Sequence, residues 1–138
     1  MRHWHHAPFA ATFLVMSLAT PGAAEDLVGA FAFSQNKHLH AFSGPKPSQA
    51  EAETAALEIC RAQADDCQVT NYFQNACGAL ATAPDGAWGA SWGNSEPAAR
   101  QRALTYCAEH STECTVLTVQ CVGVSGFAAP PMASPQMN

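Results

Sequence analysis

Ala56-Leu57-Glu58-Ile59-Cys60 and, 47 positions later, Ala103-Leu104-Thr105-Tyr106-Cys107 share the pattern Ala-Leu-x-x-Cys. In both, a second cysteine stands seven residues after the first, Cys67 and then Cys114. The spacing predicts one supersecondary unit built twice, each copy closed by a local disulfide. Upstream, Ala52, Ala55, Ala56, Ile59 and Cys60 follow the i, i+3, i+4, i+7, i+8 rule for one buried helix face. Ala99, Ala103, Tyr106 and Cys107 repeat it, with Arg102 interrupting the stripe. Ser48 is positioned as an N-cap with Glu51 completing a capping box. Ser95 repeats the cap, followed by Glu96 and Pro97 in the first turn, where proline costs no hydrogen bond.

Outside the helices the halves also correspond. Ser48 matches Ser95 and Leu57 matches Leu104 at an offset of 47, while Gly29-Ala30 matches Gly78-Ala79 at 49. The second half is therefore expected to be two residues shorter in the loop before its helix. Each unit opens with a predicted strand, Gly29 to Ser34 or Gly78 to Thr82, and a turn that is clearest at Pro84-Asp85-Gly86. A second strand follows, Leu39 to Ser43 or Trp88 to Trp92. After the helix, the last strand starts at the second cysteine of each unit, Cys67 to Phe73 or Cys114 to Val122. Cys67 and Cys77 are three residues further apart than Cys114 and Cys121, which predicts a bulge or extra loop near Tyr72 to Asn75. The fold class is α+β: two pseudo-symmetric ββαβ modules forming antiparallel sheet packed by two Ala-rich helices.

All six cysteines lie beyond residue 24, and an even number in a small exported domain reads as a disulfide framework. Of the many pairings six cysteines admit, the repeat singles out Cys60–Cys67 and Cys107–Cys114 as equivalent staples. Cys77–Cys121 remains, expected to join the ends of the two repeats. Long loops gain more from closure than short ones, so this third bond is expected to add most stability.

The ends set the compartment. Residues 1–24 read as a secretory signal: Arg2 with His3, His5 and His6, the apolar run Phe9 to Ala19, then small residues up to Ala24. That run is shorter than the ~20 residues of a membrane span, so no membrane anchor is expected. Residues 25–122 are expected to form a single duplicated domain, repeat 1 over about 28–77 and repeat 2 over about 78–122. The Pro-, Ala- and Ser-rich segment 123–138 reads as a flexible tail. The chain carries a formal charge of −5. Removing the signal takes away Arg2 and leaves eleven acidic against five scattered basic residues, a charge of −6. A nucleic-acid partner needs clustered cations and is excluded on that ground. The expected location is periplasmic or extracellular.

Several of these stretches together resemble a known family. Gly78-Ala79-Leu80-Ala81, Ala87-Trp88-Gly89-Ala90-Ser91-Trp92-Gly93, the helix ending in Ala-Leu-x-x-Cys and the Cys-x-Val opening the next strand resemble domain-of-unknown-function family 4189. These are small exported bacterial proteins, and the resemblance runs from about Val28 to Val122. Leu39-His40-Ala41-Phe42 departs from it, standing where the family tends to carry a Trp- and Gly-rich strand. The resemblance implies two ββαβ-type modules, export and a disulfide framework, and brings no catalytic residues with it.

Candidate sites are few. His38 and His40, two apart on a predicted strand, would point the same way and offer two imidazoles to Zn²⁺ or Cu²⁺; no further ligand has a recognisable spacing, so exposed polar residues of a hairpin edge account for them better. Trp88 and Trp92 share a strand face with Ala90 between them; with Phe42 they make the preferred binding surface if that face is open, and otherwise fill the core. Asp65-Asp66 reads as a solvated loop rather than a cation or acid/base pair, and Asn71 and Asn75 as either groove-lining or strand-ending residues. No nucleophile elbow or phosphate-binding glycine loop is present, and no cofactor is expected. The reading is thus an exported, non-enzymatic binding module for a protein or cell-envelope ligand, acting as a modulator or inhibitor of an envelope or host protein. The alternatives are a metal-binding protein using His38, His40 and a carboxylate, and a small hydrolase acting on wall polymers.

Overall fold

The computed structural model describes residues 25–124. The expected signal segment 1–24 and all of the expected tail beyond Val124 lie outside the described residues. The first unit contains β1 (Val28–Ser34), β2 (Leu39–Phe42), α1 (Gln49–Arg61) and β3 (Gln68–Gln74), and the second repeats that order. Its elements are β4 (Cys77–Thr82), β5 (Trp88–Gly93), α2 (Glu96–Ala108) and β6 (Thr115–Cys121). The antiparallel pairing divides into two three-stranded sheets, one per unit, ordered β2-β1-β3 and β5-β4-β6.

Helix starts follow the serines. Ser48 Oγ accepts the Glu51 N–H at 3.2 Å and Ser95 Oγ the Ala98 N–H at 3.3 Å, each satisfying one of the amides that a helix leaves free at its N-terminus. Both serines are extended, with φ near −145° and −147°. The faces these helices bury are narrower than the full apolar pattern predicts. Ala52, Ala56 and Cys60 are buried in α1, and Ala99, Ala103 and Cys107 in α2. Ile59 and Tyr106, read from the sequence as part of the stripe, are exposed. An i, i+4, i+8 row of small residues lets each helix lie close on its sheet, and a row that narrow turns its neighbours outward. The approach is tightest at Gly89, where a Cβ would collide with the Cys107 backbone.

Small residues against the helices place the bulky side chains on the opposite sheet faces. Along β1, Val28, Ala30 and Ala32 pack with α1, while Phe31 and Phe33 point the other way. Along β4, Cys77, Ala79 and Ala81 pack with α2, and Leu80 faces away. Those other faces meet each other: Phe33 lies 6.4 Å from Trp88, and Phe31, Phe42 and Phe73 cluster at 5.5–6.2 Å between centroids. The layers therefore run helix, sheet, sheet, helix, which explains why β1 is buried along its whole length despite being only seven residues long.

The structure pairs Cys60 with Cys67, Cys77 with Cys121, and Cys107 with Cys114. The third bond differs in place from the expectation. Cys77 opens β4 and sits directly opposite Cys121 on β6, so the bond lies within the second sheet and does not join the repeats. Val28 and Gln74 hold the same paired position in the first sheet. The three-residue difference in cysteine spacing has the same cause. β3 and β6 are equally long, and Asn75-Ala76 is simply the connector to β4.

The bulge also lies elsewhere than Tyr72 to Asn75. It falls at Thr70, between Val69 opposite Ala32 and Asn71 opposite Phe31, and recurs at the equivalent Leu117. The two residues missing from the second half are not both in the loop before α2. One is lost from the hairpin turn, where Gln35 to His38 is matched by Pro84 to Gly86 between Ala83 and Ala87. The other falls at Gly44-Pro45, which interrupts the first unit's hairpin before Lys46 pairs again with Val28, whereas β5 runs unbroken to Gly93.

Candidate binding surface

Trp88, Ala90 and Trp92 do share one face of β5, opposite the glycines on which α2 rests, but their environments differ. Trp88 packs toward Phe33 and is half-buried. Trp92, near the strand's end and beyond the cover of the first sheet, is 47 % exposed. Phe42 belongs to the aromatic cluster between the sheets, stacked on Phe73 with an interplanar angle of 6°. Of the three residues proposed as a surface, the structure leaves Trp92 open and gives Phe42 and Trp88 mainly to packing.

Two residues that the sequence reading did not assign to a surface join Trp92. Tyr72 of β3 is 46 % exposed and Tyr106 of α2 is 51 % exposed. On one side of the indole, a groove of about 430 Å³ is lined by Asn71, Tyr72, Phe73, Gln74 and Trp92. On the other, a groove of about 380 Å³ runs between Ser91, Trp92, Arg102, Thr105, Tyr106 and Glu109. Trp92 is the wall common to both. Arg102 and Tyr106 stand one helical turn apart, and that i, i+4 relation is the sequence signal that would have grouped them. Arg102, read as an interruption of a buried stripe, reaches outward: its guanidinium lies over the indole, 5.6 Å from the centroid, and donates to the Trp92 carbonyl at 3.1 Å. The cation–π contact and the hydrogen bond hold the exposed ring in place.

Asparagines fix this surface to the frame. Asn71 Nδ2 donates to the Ser91 carbonyl at 2.9 Å, tying β3 of one sheet to β5 of the other. Asn75, in the left-handed region at φ 45°, accepts the Leu27 N–H at 3.0 Å and donates to Asp26 at 2.7 Å. It terminates β3 rather than lining a groove.

The remaining candidates are scattered. His38 is not on a strand; it is an exposed turn residue with φ 48°, so it does not share the orientation of His40 on β2. Burial pushes the His40 pKa below its ordinary value. Among the described residues, no three His, Cys, Asp or Glu side chains gather as metal ligands would. Asp66 is a structural acceptor and not a free loop carboxylate. Its two oxygens take the Ser34 hydroxyl at 2.5 Å and the Asn36 N–H at 2.9 Å, and these bonds hold its pKa below the usual carboxylate value.

The matched segment of the chain fixes its family. Residues 28–121 match the family model described as Domain of unknown function (DUF4189), and the chain belongs to that family. No curated protein and no solved structure matches the chain. Among the described residues, no helix is long and apolar enough to cross a membrane. Three disulfides suit an oxidising compartment.

Proposed function

We propose that this protein is an exported, non-enzymatic binding module whose working face is the aromatic belt of Tyr72, Trp92 and Tyr106. The observation that carries the reading is the exposure of these three aromatic residues beside two adjoining grooves that share Trp92 as a wall. Large aromatics left half-open on a small domain forgo about half of the roughly 1.5–3 kcal/mol that full burial of such a side chain is worth, and a partner that covers them recovers it. Aromatic and arginine side chains are also the residues that dominate binding energy at interfaces. Cys107–Cys114 closes the loop after α2 and Arg102 packs over the indole, so Trp92 is positioned before any partner arrives and less ordering entropy remains to be lost. Modulation or inhibition of an envelope or host protein is the role such a preformed surface suits.

The test uses the oxidised mature protein as bait on envelope and culture-supernatant fractions, beside a Trp92→Ala/Tyr106→Ala variant verified as folded by its amide spectrum. A partner retained by the wild type and lost by the variant is the expected result. Capture that is identical for both proteins sinks the assignment of this face.

A further inference from the structure

We propose that the free edge of β5, beside α2, takes an extended segment of a partner protein as an added β-strand, an inference that rests on the binding-module reading and specifies how the partner is held. Hydrogen bonds identify the edge. Ala83 N–H donates to the Ala87 carbonyl at 2.9 Å, and from there the pairing of β4 with β5 runs without a register shift to Cys77 opposite Gly93. Backbone groups alternate sides along an antiparallel strand. Gly89, Ser91 and Gly93 therefore direct theirs toward β4, and Trp88, Ala90 and Trp92 direct theirs outward. β5 ends its sheet, so among the described residues no strand pairs with them. Arg102 agrees with this phase, reaching from α2 to the Trp92 carbonyl at 3.1 Å. The N–H and C=O of Trp88 and Ala90 and the N–H of Trp92 remain for a new strand.

Edge strands invite pairing unless they are short, bulged, charged or covered. The other three edges are guarded in these ways. β2 has four residues and is interrupted at Gly44-Pro45, while β3 and β6 carry bulges at Thr70 and Leu117. β5, from Trp88 to Gly93, is unbulged and contains neither proline nor a charged residue. It also borders open space. A groove of about 480 Å³ touches Trp88 and Ala90 on one face of β5 and Gly89 on the other, and a groove of about 380 Å³ touches Ser91 and Trp92. Space that reaches residues of both faces lies off the edge between them. Tyr106 lines both grooves, so they adjoin along the strand with α2 as the opposite wall. An open edge of this kind holds an extended peptide by main-chain hydrogen bonds, and pockets beside it select alternate side chains. A second copy of the chain fits less well. Two β5 strands paired antiparallel about Ala90 would set each Trp92 against the other copy's Trp88, where Arg102 already holds the Trp92 carbonyl. The first groove has no Asp, Glu, Lys or Arg in its lining, whereas the second has Arg102 and Glu109. The segment therefore places an apolar residue at the first groove and a polar one at the second.

The probe is a displayed library of random peptides of about twelve residues, selected on the oxidised mature protein and then made synthetically. The expected result is saturable binding at about 100 μM Kd or tighter, with amide exchange slowed most at Trp88, Ala90 and Trp92. N-methylation of the bound peptide should weaken binding at least about tenfold at every second amide and less than about threefold at those between. Ala90→Pro removes an outward N–H while keeping the ladder to β4, and should also weaken binding at least about tenfold. Methylation of the peptide leaves the protein untouched, so the test stands should that variant misfold. No peptide binding below about 1 mM, or binding indifferent to which amides are methylated, overturns strand addition. So does a dimer of the protein that Ala90→Pro abolishes, which would seat a second copy on the edge. A partner captured through Trp92 and Tyr106 in the experiment above that binds Ala90→Pro equally well overturns this inference and leaves the binding-module reading standing. Capture indifferent to Trp92→Ala/Tyr106→Ala removes both.

Discussion

The inner face of the first sheet carries Phe31, Phe42 and Phe73, whereas the second sheet holds Leu80, Ala90 and Gln120 at the equivalent paired positions. The helix-facing surfaces show no such difference: Ala52, Ala56 and Cys60 recur as Ala99, Ala103 and Cys107. Duplication therefore preserved the contact each unit makes with its own helix and altered the contact the units make with each other. The physical reason is complementarity. Two identical Phe-rich faces would not interdigitate, while faces whose bulky residues fall at different positions, the Phe cluster of the first sheet and Trp88 of the second, pack at the density interiors require. Gly78 is the clearest instance, because a Cβ there would collide with the Phe73 ring.

That reading can be broken most severely at Gly78 itself. Gly78→Leu is expected to abolish the native fold, since overpacking a filled site costs about 1–3 kcal/mol and here the whole side chain would occupy the space of a fully buried ring. Amide dispersion and urea unfolding give the readout. Phe73→Ala alone is expected to cost about 3–5 kcal/mol. Combining the two substitutions should recover a folded protein if Phe73 is the obstacle. A double variant no better than Gly78→Leu would show that the glycine is needed for another reason.

The disulfides sharpen the comparison at a smaller scale. Cys77 and Cys121 close 44 residues and bind the second sheet at the position where the first has only Val28 and Gln74. Replacing that pair by Ala should cost about 4 kcal/mol, and replacing either seven-residue staple about 2 kcal/mol, on the chain-entropy account. Urea titration of the three double variants ranks them. Equal losses would mean that the bonds act through local packing and not through loop closure.

What the sequence disclosed, and what it withheld, divides along the same line. The unit, its strands, both serine caps and both staples were legible because each is local: a cap lies three residues from its amide and a staple seven from its partner. The face-to-face meeting of the sheets was not, because Phe31 and Phe73 carry no local mark of what they pack against. Cys77 was assigned to the wrong unit for a similar reason, since counting from Cys67 hides that the position pairs like Val28. At the binding surface, Trp92 was legible from strand alternation, while Tyr106 was hidden by an apolar periodicity wider than the stripe the helix buries. His38 was misplaced because its left-handed backbone belongs to a turn that lacks glycine.

The finest contrast between the units lies in how each hairpin turn is tied to its staple loop. In the first, the carboxylate stands on the staple loop: Asp66 reaches Ser34 and Asn36 at the hairpin. In the second, it stands on the turn, where Asp85 accepts the Ala87 N–H at 3.0 Å and a hydrogen bond from Ser111 on the staple loop. In each case these bonds hold the pKa below the usual carboxylate value, led by the Ser34 hydroxyl at Asp66 and the Ala87 amide at Asp85. A depressed folded-state pKa adds stability that is complete above the unfolded value, near pH 4, and is lost as pH falls through the folded value. Thermal midpoints measured from pH 7 down to pH 2 should therefore fall in the wild type below about pH 4. Asp66→Asn and Asp85→Asn should each start lower at neutral pH and lose less on acidification. The deficit should be larger for Asp66→Asn, because a neutral amide cannot accept from both the Ser34 hydroxyl and the Asn36 N–H as the charged carboxylate does, and Ser34 is wholly buried. A wild-type acid transition unchanged by both substitutions would remove the carboxylate tether as a common device of the two units.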